Sequence, residues 1–390
     1  MNKTTKTIIW IVVIALVIWG IVAISNNNSN DIDLKNKKEV NIGAVLPITG
    51  PGSFMGEYYN NSIMLANDYI NLNNIIEGYK LNVLIEDGET NPQKSLSAAR
   101  SLVSRGVNIL FTAFRGPSLA ISSYANNNEK LLIANTAVQL KNPLGEEFFF
   151  LVGGEVDVQI RQLAEYAKNN NCSSMATIVE NTDFGIAAVD ITDNVFGAEN
   201  SFSDLIQFGE NTQFESLITK LENNNPDCWL VYAQSTASLN ILQTMEQMGL
   251  DKPLYSTSYA INSSVLQEAP QSQLSNVIYS VEGFYENKNK KTKQFVEDYR
   301  DKFSSEPHVF GVIMYDIVNF TAEAMNKCIS QGQEPDNVNC VKRNLEESQG
   351  YQGLIGQYNM TKTHDIPILS YSLWEVEERE PSLITVINEN

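Results

Sequence analysis

The sequence predicts an α/β protein made of two similar units, each built on a doubly wound parallel sheet. Three observations carry this. Short runs that are apolar throughout alternate with longer segments of helical periodicity, the pattern of βαβ units whose strands are buried on both faces. The alternation breaks at Gly153-Gly154 and then restarts on the same plan. Loops rich in hydroxyls, amides and aromatics follow the apolar runs, at what are the carboxyl ends of parallel strands.

The first run, 40–46, passes into the loop Pro47-Ile48-Thr49-Gly50-Pro51-Gly52-Ser53 and then an amphipathic helix over 54–71. A strand at 80–86, a helix at 93–104, a strand at 107–113, a short helix to 127 and strands at 131–134 and 148–152 complete the first unit. The second unit has helices at 156–168, to 196, at 214–223 and at 237–248, and strands at 175–179, 201–208, 228–232, 253–256 and 277–283. Helices at 293–303, 309–328 and 338–346 follow, then a short hairpin at 350–353 and 356–359 and a long strand at 369–376. This last block has no alternation of its own, so it reads as a return to the first sheet. A chain crossing repeatedly between two lobes forms a hinge around a cleft.

The formal charge of -19 over 390 residues argues against a nucleic-acid partner, which needs a basic stripe. Lys3 and Lys6 precede an uncharged apolar run over 7–24, with Trp10 and Trp19 near its ends. About 18 residues at ~1.5 Å each nearly span a hydrocarbon core. Residues 1–25 therefore read as an N-terminal transmembrane helix that leaves the rest outside the cell, or as a cleaved signal segment with Ala23-Ile24-Ser25 as the cleavage site. Residues 26–39 read as a flexible linker. Cys172, Cys228, Cys328 and Cys340 allow two bridges in an oxidising compartment: Cys172 and Cys228 both precede or open strands, and Cys328 and Cys340 suit a helix–loop–helix staple. Four buried thiols are the other reading.

No catalytic constellation is present: no Gly-x-Ser-x-Gly elbow, no Walker loop and no dinucleotide glycine pattern. The two histidines, His308 and His364, lie outside the strand-end loops, so no cysteine nucleophile or metal site is expected, and no cofactor. The chain is read as a binding protein and not an enzyme. The candidate ligand residues are Ser53, Phe54, Met55, Arg115, Ser118, Asn135, Thr136, Phe184, Gln234, Ser258 and Tyr259. Hydroxyls and helix N-termini suit an anion, and aromatics suit the body of a small solute. Arg115 is the sharpest, because a guanidinium grips a carboxylate bidentately. Ser118 has a second reading as a helix cap, and Phe184 and Tyr259 as packing residues.

The run Asn41-Ile42-Gly43-Ala44-Val45-Leu46-Pro47-Ile48-Thr49-Gly50 resembles the branched-chain amino-acid-type periplasmic binding proteins of ABC transporters, as do Ile85-Glu86-Asp87-Gly88 with Asn91-Pro92 and Asp183-Phe184-Gly185. The resemblance covers about 40–376. It implies a type I periplasmic-binding fold: two lobes joined by three crossovers that close on a small solute without catalysis. Lobe I is then 40–152 with 285–362, and lobe II is 153–284 with 363–390. Two departures follow from it. The family's hydroxyl after the fourth strand aligns with Val138, with Thr136 the nearest substitute, and its acidic ammonium anchor aligns near Ser258. Losing a buried counter-charge costs on the order of 3–5 kcal/mol. The resemblance implies a small organic solute (amino acid, carboxylate or amide-like); these departures count against an α-amino acid, and Arg115, where the family commonly has small hydroxyl residues, points instead to a carboxylate or another acidic or amide solute. Two functions follow: an extracytoplasmic solute-binding protein serving an ABC permease, or an extracellular ligand-sensing domain acting through a partner protein.

Overall fold

The computed structural model describes residues 37–50, 52–136, 145–154, 156–207, 212–282, 289–361, 364–368 and 370–388. The expected anchor at 1–25 and most of the linker lie outside them. Among the described residues no helix is long and apolar enough to cross a membrane.

The first half of the chain runs β1 (Lys38–Leu46), α1 (Ser53–Leu72), β2 (Tyr79–Asp87), α2 (Pro92–Ser104), β3 (Ile109–Ala113), α3 (Arg115–Asn127), β4 (Leu131–Asn135) and β5 (Phe149–Gly154). Then come α4 (Val156–Asn169), β6 (Met175–Glu180), α5 (Asp183–Phe196), β7 (Ser201–Ile206), α6 (Phe214–Glu222), β8 (Cys228–Tyr232), α7 (Ser235–Gln247) and β9 (Leu254–Thr257). Two short helices, α8 (Ser263–Glu268) and α9 (Gln271–Leu274), precede β10 (Val277–Glu282). The rest is α10 (Lys290–Phe303), α11 (Val309–Ser330), α12 (Val338–Glu346), β11 (Gln349–Gln352), β12 (Gln357–Asn359), β13 (Asp365–Ile368), β14 (Ser370–Glu377) and β15 (Glu380–Asn388).

Two sheets result. One has the order β13-β5-β4-β3-β1-β2, with every pairing parallel. The other has the order β15-β14-β10-β9-β8-β6-β7, parallel except for the two antiparallel strands at its β15 end. The uniform apolarity of the strands has a direct cause: alternate residues feed opposite cores. In β3, Ile109, Phe111 and Ala113 pack with α1 and α11 while Leu110 packs with α2 and α3. In β8, Trp229 and Val231 pack with α6 and α7 while Cys228, Leu230 and Tyr232 pack with α4 and α5.

The chain passes between the sheets three times, after β5, after β10 and after β13. The last passage corrects the expected boundary. Asp365–Ile368 pairs parallel with Leu151–Gly154, so it completes the first sheet, and only Leu369 separates it from β14 in the second. The expected long strand begins there, but a further strand, β15, returns antiparallel through Glu378 (φ 49°) and Arg379 (φ 70°). A two-residue hairpin of this kind normally shows Asn-Gly or Asp-Gly, which is why the sequence concealed it. Here Arg379 Nη1 donates to the carbonyls of Leu266 and Gln267, both at 2.8 Å, and holds the turn.

Two covalent staples and one buried carboxylate fix the periphery. Cys172–Cys228 joins neighbouring strand starts in the second sheet, and Cys328–Cys340 joins α11 to α12. Asp316, 1% exposed on α11, accepts the amides of Leu354 and Ile355 and the Tyr358 phenol, and so clamps the β11–β12 hairpin. Burial raises its pKa to about 6 against those donors. Only glycine fits at 353, where a Cβ would lie 2.4 Å from Asp316 Oδ2.

Reducing the bridges should destabilise the protein by on the order of 4 kcal/mol for the 56-residue loop and 3 kcal/mol for the 12-residue loop, on the chain-entropy model. Urea titration with and without reductant measures this. A pH effect is expected from His308, which caps α11 by accepting the Phe310 amide at Nδ1 and whose pKa burial lowers to about 4. The folded state resists the proton that the unfolded chain takes near pH 6.5. Stability is therefore full above pH 6.5 and falls as the pH drops towards 4. In His308→Asn, which caps without titrating, urea midpoints at pH 7 and pH 5 should differ less than in the native protein.

Candidate functional site

Strand order decides where a site forms. In each sheet the order reverses once among the parallel strands, between β1 and β3 and between β6 and β8, and a crevice opens at the carboxyl ends of those strands.

In the first sheet, the loop after β1 is shaped by the loop after β2. Asp87 Oδ1 accepts the amides of Ile48 (3.1 Å), Thr49 (3.2 Å) and Glu89 (2.9 Å), and Oδ2 accepts the Thr49 hydroxyl at 2.6 Å. Burial pushes the Asp87 carboxyl up, but these donors outweigh it and hold the pKa below the usual value. Thr90 Oγ1 accepts the Gly52 amide at 2.9 Å. Gly56 lets α1 start hard against this loop, since a Cβ there would sit 2.1 Å from the Pro47 carbonyl oxygen.

Phe114, following β3, has a strained backbone. Its φ of 65° and ψ of 145° belong to a region that glycine occupies almost alone. Three bonds hold it there: its amide donates to the Asn135 carbonyl at 3.2 Å, and its carbonyl accepts the Ser118 amide (3.1 Å) and hydroxyl (2.6 Å). The ring lies edge-on to Tyr59, with centroids 6.2 Å apart, and beside Gly52.

The expected residues separate into groups. Arg115 is half-buried and opens α3; Ser53 is exposed and opens α1. Asn135 and Thr136 are buried at the end of β4; Asn135 Nδ2 donates to the Phe310 carbonyl at 2.8 Å while its Oδ1 finds no partner among the described residues. Two expectations are corrected. Met55 is 5% exposed and packs in the core of the first sheet, because position 55 lies on the face of α1 that carries Tyr59 and Ile63. Ser118 is buried inside α3 and its hydroxyl donates to the carbonyl of Phe114 four residues back, so it neither faces a ligand nor caps the helix. The Phe54 and Phe184 side chains, and Val138, lie outside the described parts of the structure.

In the second sheet, Gln234 is exposed ahead of α7 and its amide donates to Glu180 Oε1 at 2.9 Å. Ser258 is half-buried, and its amide donates to the Ser280 carbonyl at 2.8 Å. Tyr259 is 39% exposed, with its ring 5.6 Å from that of Tyr232. Burial first, and then the nearby Glu180 carboxylate, hold the Tyr259 phenol well above its usual pKa. Gly185 repeats the device of Gly56: a Cβ there would lie 1.8 Å from the Glu180 carbonyl oxygen.

Phe114 and Glu180 are the residues that the sequence did not single out. The strain at Phe114 has no sequence signal. Glu180 has one, a charged residue closing the apolar run Met175–Glu180 at the carboxyl end of a central strand. Among the described residues, no group of three or more His, Cys, Asp or Glu could hold a metal ion.

Because Phe114 is held where glycine is favoured, Phe114→Gly should be more stable than Phe114→Ala by about 1 kcal/mol, the reverse of the usual order. Urea denaturation of the two variants decides this.

The sequence profile of a family described as periplasmic binding protein matches residues 39–381. The chain is similar to the Leu/Ile/Val-binding protein homolog 1 of Brucella abortus, 22% identical over 349 residues, 87% of this chain and 91% of that protein. Homolog 3 of Brucella melitensis is 25% identical over 191 residues, 47% of this chain, and the match spans about half (52%) of that protein's length. Among solved structures, the branched-chain amino acid transporter substrate binding protein of Streptococcus pneumoniae, in complex with isoleucine, superposes with a TM-score of 0.78 at 21% identity, covering 90% of this chain and 100% of that one. An ABC transporter solute binding protein of Rhodopseudomonas palustris, in complex with 3,4-dihydroxybenzoic acid, superposes at 0.74 with 18% identity, covering 90% and 97%.

Proposed function

Since this chain belongs to the periplasmic binding protein family, we propose that it captures a small organic carboxylate between the two strand-end edges and delivers it to an ABC permease outside the cytoplasm. The observation that carries this is the placement of the candidate residues. Arg115 follows β3 and opens α3 in one sheet, and Gln234, Ser258 and Tyr259 follow β8 and β9 in the other, all at carboxyl ends. The edges are neighbours by chain length alone. A single residue separates β5 from α4, and a single residue separates β13 from β14, with at most ~3.6 Å gained per residue.

Arg115 is the carboxylate ligand in this reading. The solutes named for similar proteins, leucine, isoleucine, valine and 3,4-dihydroxybenzoate, share a carboxylate and little else. Contacts from both edges favour the closed arrangement, and closure is the signal that a permease reads. The apolar run at 7–24 supplies the membrane tether. Domain limits follow sheet membership: 38–154, 290–361 and 365–368 form one lobe, and 156–282 and 370–388 the other.

A thermal-shift screen of the purified protein against amino acids, carboxylates, amides and sugars tests the proposal. A carboxylate at 100 times its Kd should stabilise the protein by about 2.7 kcal/mol. Arg115→Ala should weaken binding roughly tenfold or more, through loss of a charge-assisted pair. A shift from sugars alone, or an unchanged affinity in Arg115→Ala, defeats the assignment.

A further inference from the structure

We propose that the side chains of His364, Glu346 and Lys342 form a clasp that fastens the third passage between the sheets to the first, so that β13 moves with the first lobe as the lobes close. The proposal rests on the two-lobe reading above and concerns its hinge.

β13 is a weak element to carry such a passage. It has four residues, lies at the edge of the first sheet and pairs with β5. A short edge strand opens readily, because few backbone bonds hold it. What holds it here is gathered at its amino end, on the opposite edge from the crevice. His364, immediately before β13, has φ 60° and lays its ring flat on that of Phe150 in β5, with centroids 4.5 Å apart and planes 6° apart. Its carbonyl accepts the Leu151 amide at 3.0 Å. Its Nε2 lies 2.7 Å from Glu346 Oε1 at the end of α12. A carboxylate only accepts, so Nε2 carries the hydrogen.

Lys342, one turn earlier on α12, completes the clasp. Its Nζ is 2.9 Å from the same Glu346 oxygen and 3.0 Å from Glu147 Oε1, just before β5, and it lies 5.9 Å from the centre of the Phe148 ring. One helix therefore reaches the starts of two strands that lead into passages, β5 into the first and β13 into the third. Ion pairs in open water contribute little, but this cluster is shielded: the Lys342 and His364 side chains are 15% and 16% exposed. Burial pushes the Lys342 ammonium down, yet Glu346 and Glu147 outweigh it and hold its pKa above the usual value. The helix cannot follow β13 outward, because Cys328–Cys340 ties it to α11 within the core of the first lobe. All of these groups stand at the amino ends of β5 and β13, so the clasp steadies the hinge without touching a solute.

Hydrogen exchange of the full chain without solute, read by mass spectrometry, tests this. The readout is the exchange rate over 364–368 divided by that over 149–154 in the same protein. A general loss of stability speeds both peptides and leaves the ratio alone; release of the clasp raises it. In the native protein the two peptides should be similarly protected. Glu346→Leu should raise the ratio about tenfold, the loss of one hydrogen bond to a carboxylate. His364→Phe, which keeps a ring to stack on Phe150, should raise it to the same extent and serves alone if the other variant does not fold. Combining the two should add little, since both remove one interaction. A native ratio as high as that of the variants, an unchanged ratio in both, or two effects that add in full would overturn the clasp. No solute enters the measurement, so its failure leaves the solute-binding reading standing, and failure of the solute screen leaves the clasp to be judged on the ratio.

Discussion

Parallel pairing is the constraint on which the rest of this structure depends. Strands that run the same way must end on the same edge, so β1, β3 and β4 deliver the ends of their loops together, as do β6, β8 and β9. The connecting helices are then forced onto the two faces, and each strand is buried on both sides. The three passages between sheets leave from the carboxyl ends of β5, β10 and β13 and therefore join the two sheets at those edges. Because β14 runs antiparallel to β10, its start lies level with the end of β10, where Tyr371 pairs with Glu282. The one-residue step from β13 to β14 thus brings these carboxyl edges side by side. No side-chain interaction is needed to place them there.

Within that frame the two halves use the same device for different ends. Each first turn is compressed until a glycine is required, Gly56 against the Pro47 carbonyl and Gly185 against the Glu180 carbonyl. Each half also has a carboxylate closing a strand beside its crevice. Asp87 is saturated by four donors from neighbouring loops, and its charge is consumed in holding the backbone. Among the described residues Glu180 accepts the Gln234 amide, bonds with the Tyr259 phenol and meets no cation. The first is architecture, and its lowered pKa reports the donors it has gathered. The second, half-buried at the end of β6, links that strand to the loops after β8 and β9.

Most of the fold was legible in the sequence because burial on both faces writes itself as uniform apolarity. The runs at 40–46, 131–134, 175–179 and 228–232 all became central strands. Both disulfides were legible too, since strand starts and helix ends fix where cysteines lie. What was hidden depended on partners distant in the chain. The turn at Glu378-Arg379 has neither glycine nor asparagine, and is held by carbonyls of α8 more than a hundred residues away. Asp365–Ile368 is too short to advertise which sheet it joins. In the candidate site, residue type and loop position put Arg115 and Tyr259 after buried strands, and that is where they lie. Met55 could not be separated from its neighbours until the helix face was known, and the strain at Phe114 is set by three bonds that no local pattern encodes.

Topology also bears on how closure is driven in the proposed solute-binding role. A solute shifts an open–closed equilibrium only by the difference in its affinity for the two states. A group that touches one edge contributes equally to both, and changes nothing. Arg115 follows β3 of the first sheet, and Gln234, Ser258 and Tyr259 follow β8 and β9 of the second. In that proposal, therefore, only a solute that meets residues of both edges favours the closed arrangement.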